Sequence, residues 1–339
     1  MDVGIIGAGR IGKTHAEVLR RHATGLHVRA VAVRQLRREL AGWARDAGVA
    51  CLTNDYHDLL RDPRIGAVLI CTPGDSHARL IEEAADAGKH VFCEKPVSLS
   101  PQRVVDAMRA ADRAGVVLQV GFQRRFDRNF RLMHDRIVAG GLGDVRTLKL
   151  TSRNIAPPPL SYLPGSGGIF LDMMVHDIDM ARYLACSEVR EVYAHGDVLT
   201  DPAIREAGDY DTAAAMLKFE NGATALIDNC RQCSYGHDQR AEAFGSRGCL
   251  TADNERASTV SLHLDGHAEY AAPVGPFLPR YEQAYAAQFA AFAAACAGDA
   301  PVQADGFDGL QALRIGLAAR QSAAENRPVA LPTLTRGTV

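Results

Sequence analysis

Asp2-Val3-Gly4-Ile5-Ile6-Gly7-Ala8-Gly9-Arg10-Ile11-Gly12-Lys13 opens the chain and decides the reading of its first third. An apolar run, Val3–Gly7, feeds a Gly-x-Gly-x-x-Gly turn, and Lys13–Arg21 has helical character. Such a turn says little by itself. After a strand and before a helix it reads as the first turn of a dinucleotide-binding βαβ unit. Gly7 permits the tight turn, Gly9 lets the backbone approach a pyrophosphate, and Gly12 allows close packing of helix on strand. Arg10 and Ile11 stand at the helix N-terminus, where free N–H groups and the dipole favour an anion.

The pattern continues outward. Val28–Val33 reads as a strand, Leu36–Ala47 as a charged helix, and Ala67–Cys71 as a buried strand. Arg79–Ala87 is a helix ending at Gly88, His90–Cys93 a strand, Pro101–Ala114 a helix stopped by Gly115, and Val116–Val120 the last strand. Strands alternating with helices imply a parallel sheet covered on both faces, with right-handed crossovers. After Gly121 the pattern changes. A helix, Asn129–Val138, precedes an alternating strand, Val145–Ser152, and a helical stretch, Gly167–Leu184. Strand-like segments follow at Val189–Ala194, Thr212–Phe219, Ala223–Asp228, Arg240–Phe244 and Val260–Leu264, with Asn221-Gly222 as a hairpin signal. Two alanine-rich helices, Tyr281–Ala297 and Phe307–Glu325, come last. The expected fold class is α/β plus α+β. A Rossmann domain covers residues 1–121, and a mostly antiparallel sheet domain covers 122–339.

Bulk properties agree. At 339 residues, two domains are the natural expectation, since domains run to about 100–200 residues. The 38 basic and 40 acidic residues nearly balance, which argues against a nucleic-acid partner held by phosphate contacts. Met1-Asp2-Val3 shows no signal-peptide pattern, and Val3–Ile6 is far too short to span a membrane. The eight scattered cysteines read as reduced thiols, hence a cytoplasmic protein. Cys230 and Cys233 form a lone Cys-x-x-Cys without the further ligands zinc needs, so no metal is expected.

About 20 residues past the glycine turn an acid usually holds the adenosine ribose. Here Val33-Arg34-Gln35 stands, without an acid. A carboxylate would repel a 2′-phosphate, whereas Arg34 would pair with one, so NADP is favoured over NAD. The bland alternative is a solvated Arg34 beside the adenine.

Two segments carry chemistry. Phe92-Cys93-Glu94-Lys95-Pro96 directly follows a strand, which aims Lys95 at the region of a nicotinamide. X–Pro bonds have a raised cis fraction, so Lys95-Pro96 is a candidate fixed kink. From residue physics alone a surface lysine is the better reading of Lys95. The second segment is Gly167–Asp179, where Asp172 and His176 fall at i and i+4 and Asp179 near the same face. A carboxylate beside an imidazole orients it as a general base for an alcohol. A capped polar face, or an Asp/His metal site, are the alternatives.

The glycine turn, Cys71-Thr72-Pro73 with His77, Glu94-Lys95-Pro96 and Gly167–Asp179 together resemble the glucose-fructose oxidoreductase/inositol dehydrogenase (Gfo/Idh/MocA) family. The likeness is greatest to its inositol 2-dehydrogenase branch. Gly121–Asp127, Ser152-Arg153-Asn154 ahead of Pro157-Pro158-Pro159, Asp201–Ile204, Gly208-Asp209, Tyr235–Arg240 and Phe277–Tyr285 extend the match over nearly the whole chain. The resemblance implies an open-faced C-terminal sheet that pairs copies into dimers and tetramers. It also implies oxidation of a secondary ring alcohol by a nicotinamide cofactor. On its terms Lys95, Asp172 and His176 are catalytic. His176 takes the hydroxyl proton, Asp172 orients and balances it, and Lys95 stabilises the developing alkoxide. Arg125, Asn154 and Tyr235 match polyol-contacting positions; Thr72, Pro73, His77, Glu94 and Gln123 match cofactor contacts. Asn154 replaces an aspartate common among relatives, which bears on which cyclitol fits. Sugar dehydrogenases and aldose ketoreductases of the family remain as alternatives, as does a non-catalytic NADP(H) sensor.

Overall fold

The computed structural model describes residues 1–275 and 277–338, which divide into two compact units. The first comprises Met1–Asp127 and Glu282–Leu313, the second Arg128–Tyr281 and Arg314–Thr338.

In the first unit the strands are β1 (Asp2–Ile6), β2 (His27–Ala32), β3 (Cys51–Thr53), β4 (Ile65–Ile70), β5 (His90–Cys93) and β6 (Leu118–Val120). The helices are α1 (Arg10–Arg21), α2 (Arg38–Asp46), α3 (His57–Arg61), α4 (His77–Asp86) and α5 (Pro101–Ala114). The strands lie in the order β3-β2-β1-β4-β5-β6, every neighbouring pair parallel. This is the doubly wound Rossmann order, whose ligand crevice opens where the order reverses, between β1 and β4. Val3, Ile5, Val31, Val68, Leu69 and Ile70 are sealed in its core. Because the strands are parallel, the segments after β1, β2, β4, β5 and β6 share one edge. Those segments are the glycine turn, Val33-Arg34, Cys71-Thr72-Pro73, Glu94-Lys95-Pro96 and Phe122-Gln123.

Glu282–Leu313, which the sequence reading placed with the second domain, cluster with the first unit. The reason is aromatic packing. Tyr285 and Phe289 set their rings edge-on to His15, and Phe289 and Phe292 lie against Phe92 on β5.

The second unit holds α6 (Arg128–Val138), β7 (Val145–Arg153), α7 (Leu163–Ser166), α8 (Ile169–Asp172), α9 (Met174–Ala185), β8 (Val189–Asp197) and α10 (Pro202–Glu206). Then come β9 (Thr212–Phe219), β10 (Thr224–Cys230), β11 (Asp238–Gly245), β12 (Cys249–Ala252), β13 (Ser261–Leu264), β14 (His267–Tyr270) and β15 (Val329–Ala330). The main sheet runs β12-β11-β7-β10-β9-β8-β15, antiparallel except for β7 against β10. One face buries Leu148, Leu150, Ala225, Ile227, Leu217 and Phe219, while Tyr193, Leu226 and Phe244 are exposed. That is the open-faced sheet, period-2 alternation included. The β9–β10 hairpin turns at Asn221-Gly222, where Gly222 has φ +89°.

The single helix expected over Gly167–Leu184 is broken. Gly167 and Gly168 (φ +85° and +80°) lead into α8, Met173 interrupts, and α9 follows. The amide of His176 reaches the Met173 carbonyl at 3.3 Å, an i to i+3 bond, so the chain is tightened just before His176.

Candidate active site

The glycine turn divides its labour by space. Gly7 has φ +101°, and a Cβ there would lie 2.7 Å from the Cys71 carbonyl oxygen. A Cβ on Gly12 would meet the Gly7 carbonyl oxygen at 2.0 Å. Gly7 and Gly12 are therefore fixed by the fold. A Cβ on Gly9 would meet nothing within 4 Å, and no side chain caps α1. Open space over Gly9, next to the first-turn amides of Arg10, Ile11 and Gly12, suits the close approach of a pyrophosphate.

Arg34 stands exposed immediately beyond β2, held to the sheet by the Val33 amide on Thr53 O (2.9 Å). Thr72 Oγ1 and Ser76 Oγ are 2.7 Å apart. His77, 1% exposed, puts Nε2 2.7 Å from the Thr72 carbonyl and Nδ1 2.8 Å from the Pro96 carbonyl. It thereby ties the Thr72-Pro73 segment to the Lys95-Pro96 segment. Lys95-Pro96 is cis, as the sequence suggested, and Lys95 is half-buried. Glu94 Oε1 lies 2.6 Å from His15 Nε2. Gln123 and Arg125 are buried in a short 3-10 turn, and Arg125 donates to Asp308 Oδ2 (3.0 Å) and Gln303 O (2.8 Å).

In the second unit, Asp172 closes α8. Its Oδ1 accepts from Tyr162 (3.0 Å) and its Oδ2 from Arg231 Nη1 (3.3 Å). His176 follows one turn later on α9, half-buried. The next residue, Asp177, anchors that helix to the sheet: its carboxylate accepts from Ser152 Oγ on β7 (2.6 Å) and Asn229 Nδ2 on β10 (2.9 Å). Asp179, by contrast, is buried 3.8 Å from Arg182. Asn154 follows β7, with its amide on the Cys230 carbonyl (2.9 Å) and Nδ2 3.8 Å from Met173 Sδ. The Tyr235 hydroxyl accepts from Arg153 (2.7 Å) and donates to the buried Asp238 (2.5 Å). Burial and the Asp238 carboxylate push that phenol up. Burial also pushes Asp238 up, but bonds from Arg240, Tyr235 and Asn254 outweigh it and hold Asp238 at about 2.

Sequence reasoning did not single out His15, Asp177, Arg231 or Asp308. Asp177 sits inside the quoted run, and its signal was an acid on the buried side of an otherwise apolar helix. Arg231 offers none, because its partners Asp172 and Asp209 lie far away in the chain. Among the described residues no group of three His, Cys, Asp or Glu side chains could hold a metal ion, and no helix is long and apolar enough to cross a membrane.

A doubly wound parallel sheet with an uncapped glycine-turn helix in one unit, and a mostly antiparallel open sheet with Asp172 and His176 between β7 and β8 in the other, are the features of a dinucleotide-binding oxidoreductase. Residues 1–122 match the oxidoreductase family described as an NAD-binding Rossmann fold, and residues 130–251 match the GFO/IDH/MocA C-terminal domain. The chain belongs to the GFO/IDH/MocA family. It is 42% identical to a myo-inositol 2-dehydrogenase of Thermotoga maritima, covering 98% of each chain. A myo-inositol dehydrogenase structure from Corynebacterium glutamicum superposes with a TM-score of 0.91 at 34% identity, over 98% of this chain and 99% of that one. A scyllo-inositol dehydrogenase from Lactobacillus casei, solved with NAD(H) and scyllo-inositol, gives 0.89 at 28% identity, over 97% and 98%.

Proposed function

We propose that this oxidoreductase oxidises a secondary ring hydroxyl of myo-inositol or a related cyclitol to the ketone. The observation that carries the reading is the bracing of Asp172 by Tyr162 and Arg231, one turn before His176. A fixed carboxylate orients an imidazole and balances its charge once it has taken a proton. His176 accepts the hydroxyl proton, and Lys95 hydrogen-bonds the same oxygen and stabilises the alkoxide as it develops. The bound nicotinamide supplies the hydride acceptor. Gly7, Gly9, Arg10, Ile11 and Gly12 hold the pyrophosphate; Thr72, Pro73, His77, Glu94, Lys95 and Gln123 shape the nicotinamide end. Arg34 takes a 2′-phosphate, which makes NADP the preferred form. Asn154 and Tyr235 contact the polyol. Arg125 is the third polyol contact of this reading, and it also pairs with Asp308.

Residues 1–121 carry the cofactor, and 122–339 carry the polyol and pair copies through the exposed sheet face into a dimer or tetramer. The free cysteines suit the reducing cytoplasm.

The test is an absorbance assay with myo-inositol, scyllo-inositol, other cyclitols and aldoses, each with NAD and with NADP. Turnover of a cyclitol, lost in Lys95→Ala and His176→Ala variants that still bind cofactor, is the expected result. Cofactor binding without turnover of anything would overturn the reading in favour of a sensor, and turnover of aldoses alone in favour of a sugar dehydrogenase.

A further inference from the structure

Arg231 follows β10 and is 1% exposed. Its main chain is fixed by a 2.7 Å bond from its amide to the Asp211 carbonyl. Its guanidinium spends one donor on each of three acceptors: Nη1 on Asp172 Oδ2 (3.3 Å), Nη2 on Asp209 Oδ2 (2.8 Å) and Nε on the Tyr210 carbonyl (3.3 Å). The other oxygen of Asp209 accepts the Ile169 amide at 2.8 Å, and Ile169 is the first residue of α8. One buried cation therefore braces both ends of α8: the start through Asp209 and the end directly at Asp172. The fork fits both carboxylates because it is planar and rigid, which an ammonium group is not. Gly168 completes the fit, since a Cβ there would lie 2.9 Å from Asp209 Oδ1.

We propose that Arg231 is a positioning residue for the reaction, setting the orientation and charge of Asp172 and, through it, the His176 base. The inference rests on the reading of Asp172 and His176 as the proton-transfer pair. With Oδ1 on Tyr162 and Oδ2 on Arg231, the Asp172 carboxylate is held in one orientation. With one unit of positive charge shared between two carboxylates, Asp172 steers the imidazole without carrying a full unscreened charge into the site. Asp209 holds the arginine in place and lies one step further out.

The test uses the full-length enzyme with its best cyclitol and cofactor. Arg231→Lys keeps the charge and loses the fork. It should lower kcat on the order of a hundredfold, as a misplaced reacting group does. Cofactor affinity, read by fluorescence titration, should not change. The discriminating measurement is the double variant Arg231→Lys/Asp172→Asn. If Arg231 works through Asp172, the pair loses no more kcat than Asp172→Asn alone. Multiplying losses would make Arg231 a structural brace only and overturn the proposal. So would an unchanged kcat in Arg231→Lys beside an impaired Asp172→Asn. Full activity in Asp172→Asn would overturn the proton-transfer reading as well. Should Arg231→Lys not fold, Asp209→Asn, which loosens the same guanidinium, is held to the same two criteria.

Discussion

His15 Nε2 lies 2.6 Å from Glu94 Oε1, joining the helix that follows the glycine turn to the segment that carries Lys95. The imidazole is wholly buried, among Phe92, Tyr285 and Phe289, and the Glu94 carboxylate is 12% exposed. The same carboxylate packs on Gly121, where a Cβ would come within 3.0 Å of Oε2. His15→Leu strips a hydrogen bond from a largely buried carboxylate, which costs about 1–3 kcal/mol. The expected result is a lower Tm, with cofactor affinity weakened about tenfold, roughly 1.4 kcal/mol. His15→Gln, which keeps a donor, should recover part of both. A His15→Leu variant with wild-type Tm and cofactor binding would show that the pair links nothing.

Arg34 is exposed beyond β2, free of the constraints that fix the glycines, so replacing it should leave the fold intact. If Arg34 pairs with a 2′-phosphate as proposed, Arg34→Asp exchanges that cation for a ribose-binding acid. The ratio of kcat/KM for NADP to that for NAD should fall by at least tenfold, since a charged hydrogen bond contributes about 1.5–3 kcal/mol. If the wild type already prefers NAD and the variant does not move the ratio, Arg34 does not read the 2′ position.

Much of the first unit is legible because its signals are local. Gly7, Gly9 and Gly12 act over six residues, and each apolar run before a glycine or proline turn becomes a parallel strand. Lys95, Thr72 and His77 follow, because parallel topology places all strand-end segments on one edge. The interruption at Met173 is not legible. An apolar, helix-forming stretch, Ile169–Ala185, gives no local warning. The break comes from Asp209 seizing the Ile169 amide and Asp177 being drawn down to Ser152 and Asn229. The role of Glu282–Leu313 is hidden for the same reason: helical periodicity reports a buried face, not which core buries it. Short strands such as Cys51–Thr53 and Val329–Ala330 are paired by their neighbours rather than by their own sequence.

Asp211 is wholly buried and accepts from the Leu199 amide (3.0 Å), the Thr200 amide (2.8 Å), Thr200 Oγ1 (2.7 Å) and Thr212 Oγ1 (2.8 Å). Burial pushes its pKa up, but these bonds outweigh burial and bring it down to about 2. An unfolded aspartate titrates near 3.9, so the folded pKa is depressed. The stabilisation is fully present above about pH 4 and is lost as pH falls through about 2. Asp211→Asn should therefore cost about 2 kcal/mol at neutral pH and almost nothing at the acid end. Urea denaturation across that range checks this; an equal loss at every pH would mean that the carboxylate charge plays no part.

Gly9 and Gly12 share one motif but should fail differently. A Cβ at Gly12 would strike the Gly7 carbonyl oxygen at 2.0 Å, and that oxygen belongs to the backbone and cannot step aside. Gly12→Ala should lose at least about 3 kcal/mol of stability, with cofactor binding lost as a consequence. Gly9 has φ −70°, which any residue adopts, and a Cβ there meets nothing within 4 Å. Gly9→Ala should fold within about 0.5 kcal/mol of wild type. Its methyl group nevertheless stands where the pyrophosphate must approach the backbone, so cofactor affinity should fall at least tenfold, about 1.4 kcal/mol. Thermal denaturation without cofactor, followed by fluorescence titration with it, separates the two. A stable Gly9→Ala variant with undiminished affinity would mean that the dinucleotide does not lie on this turn.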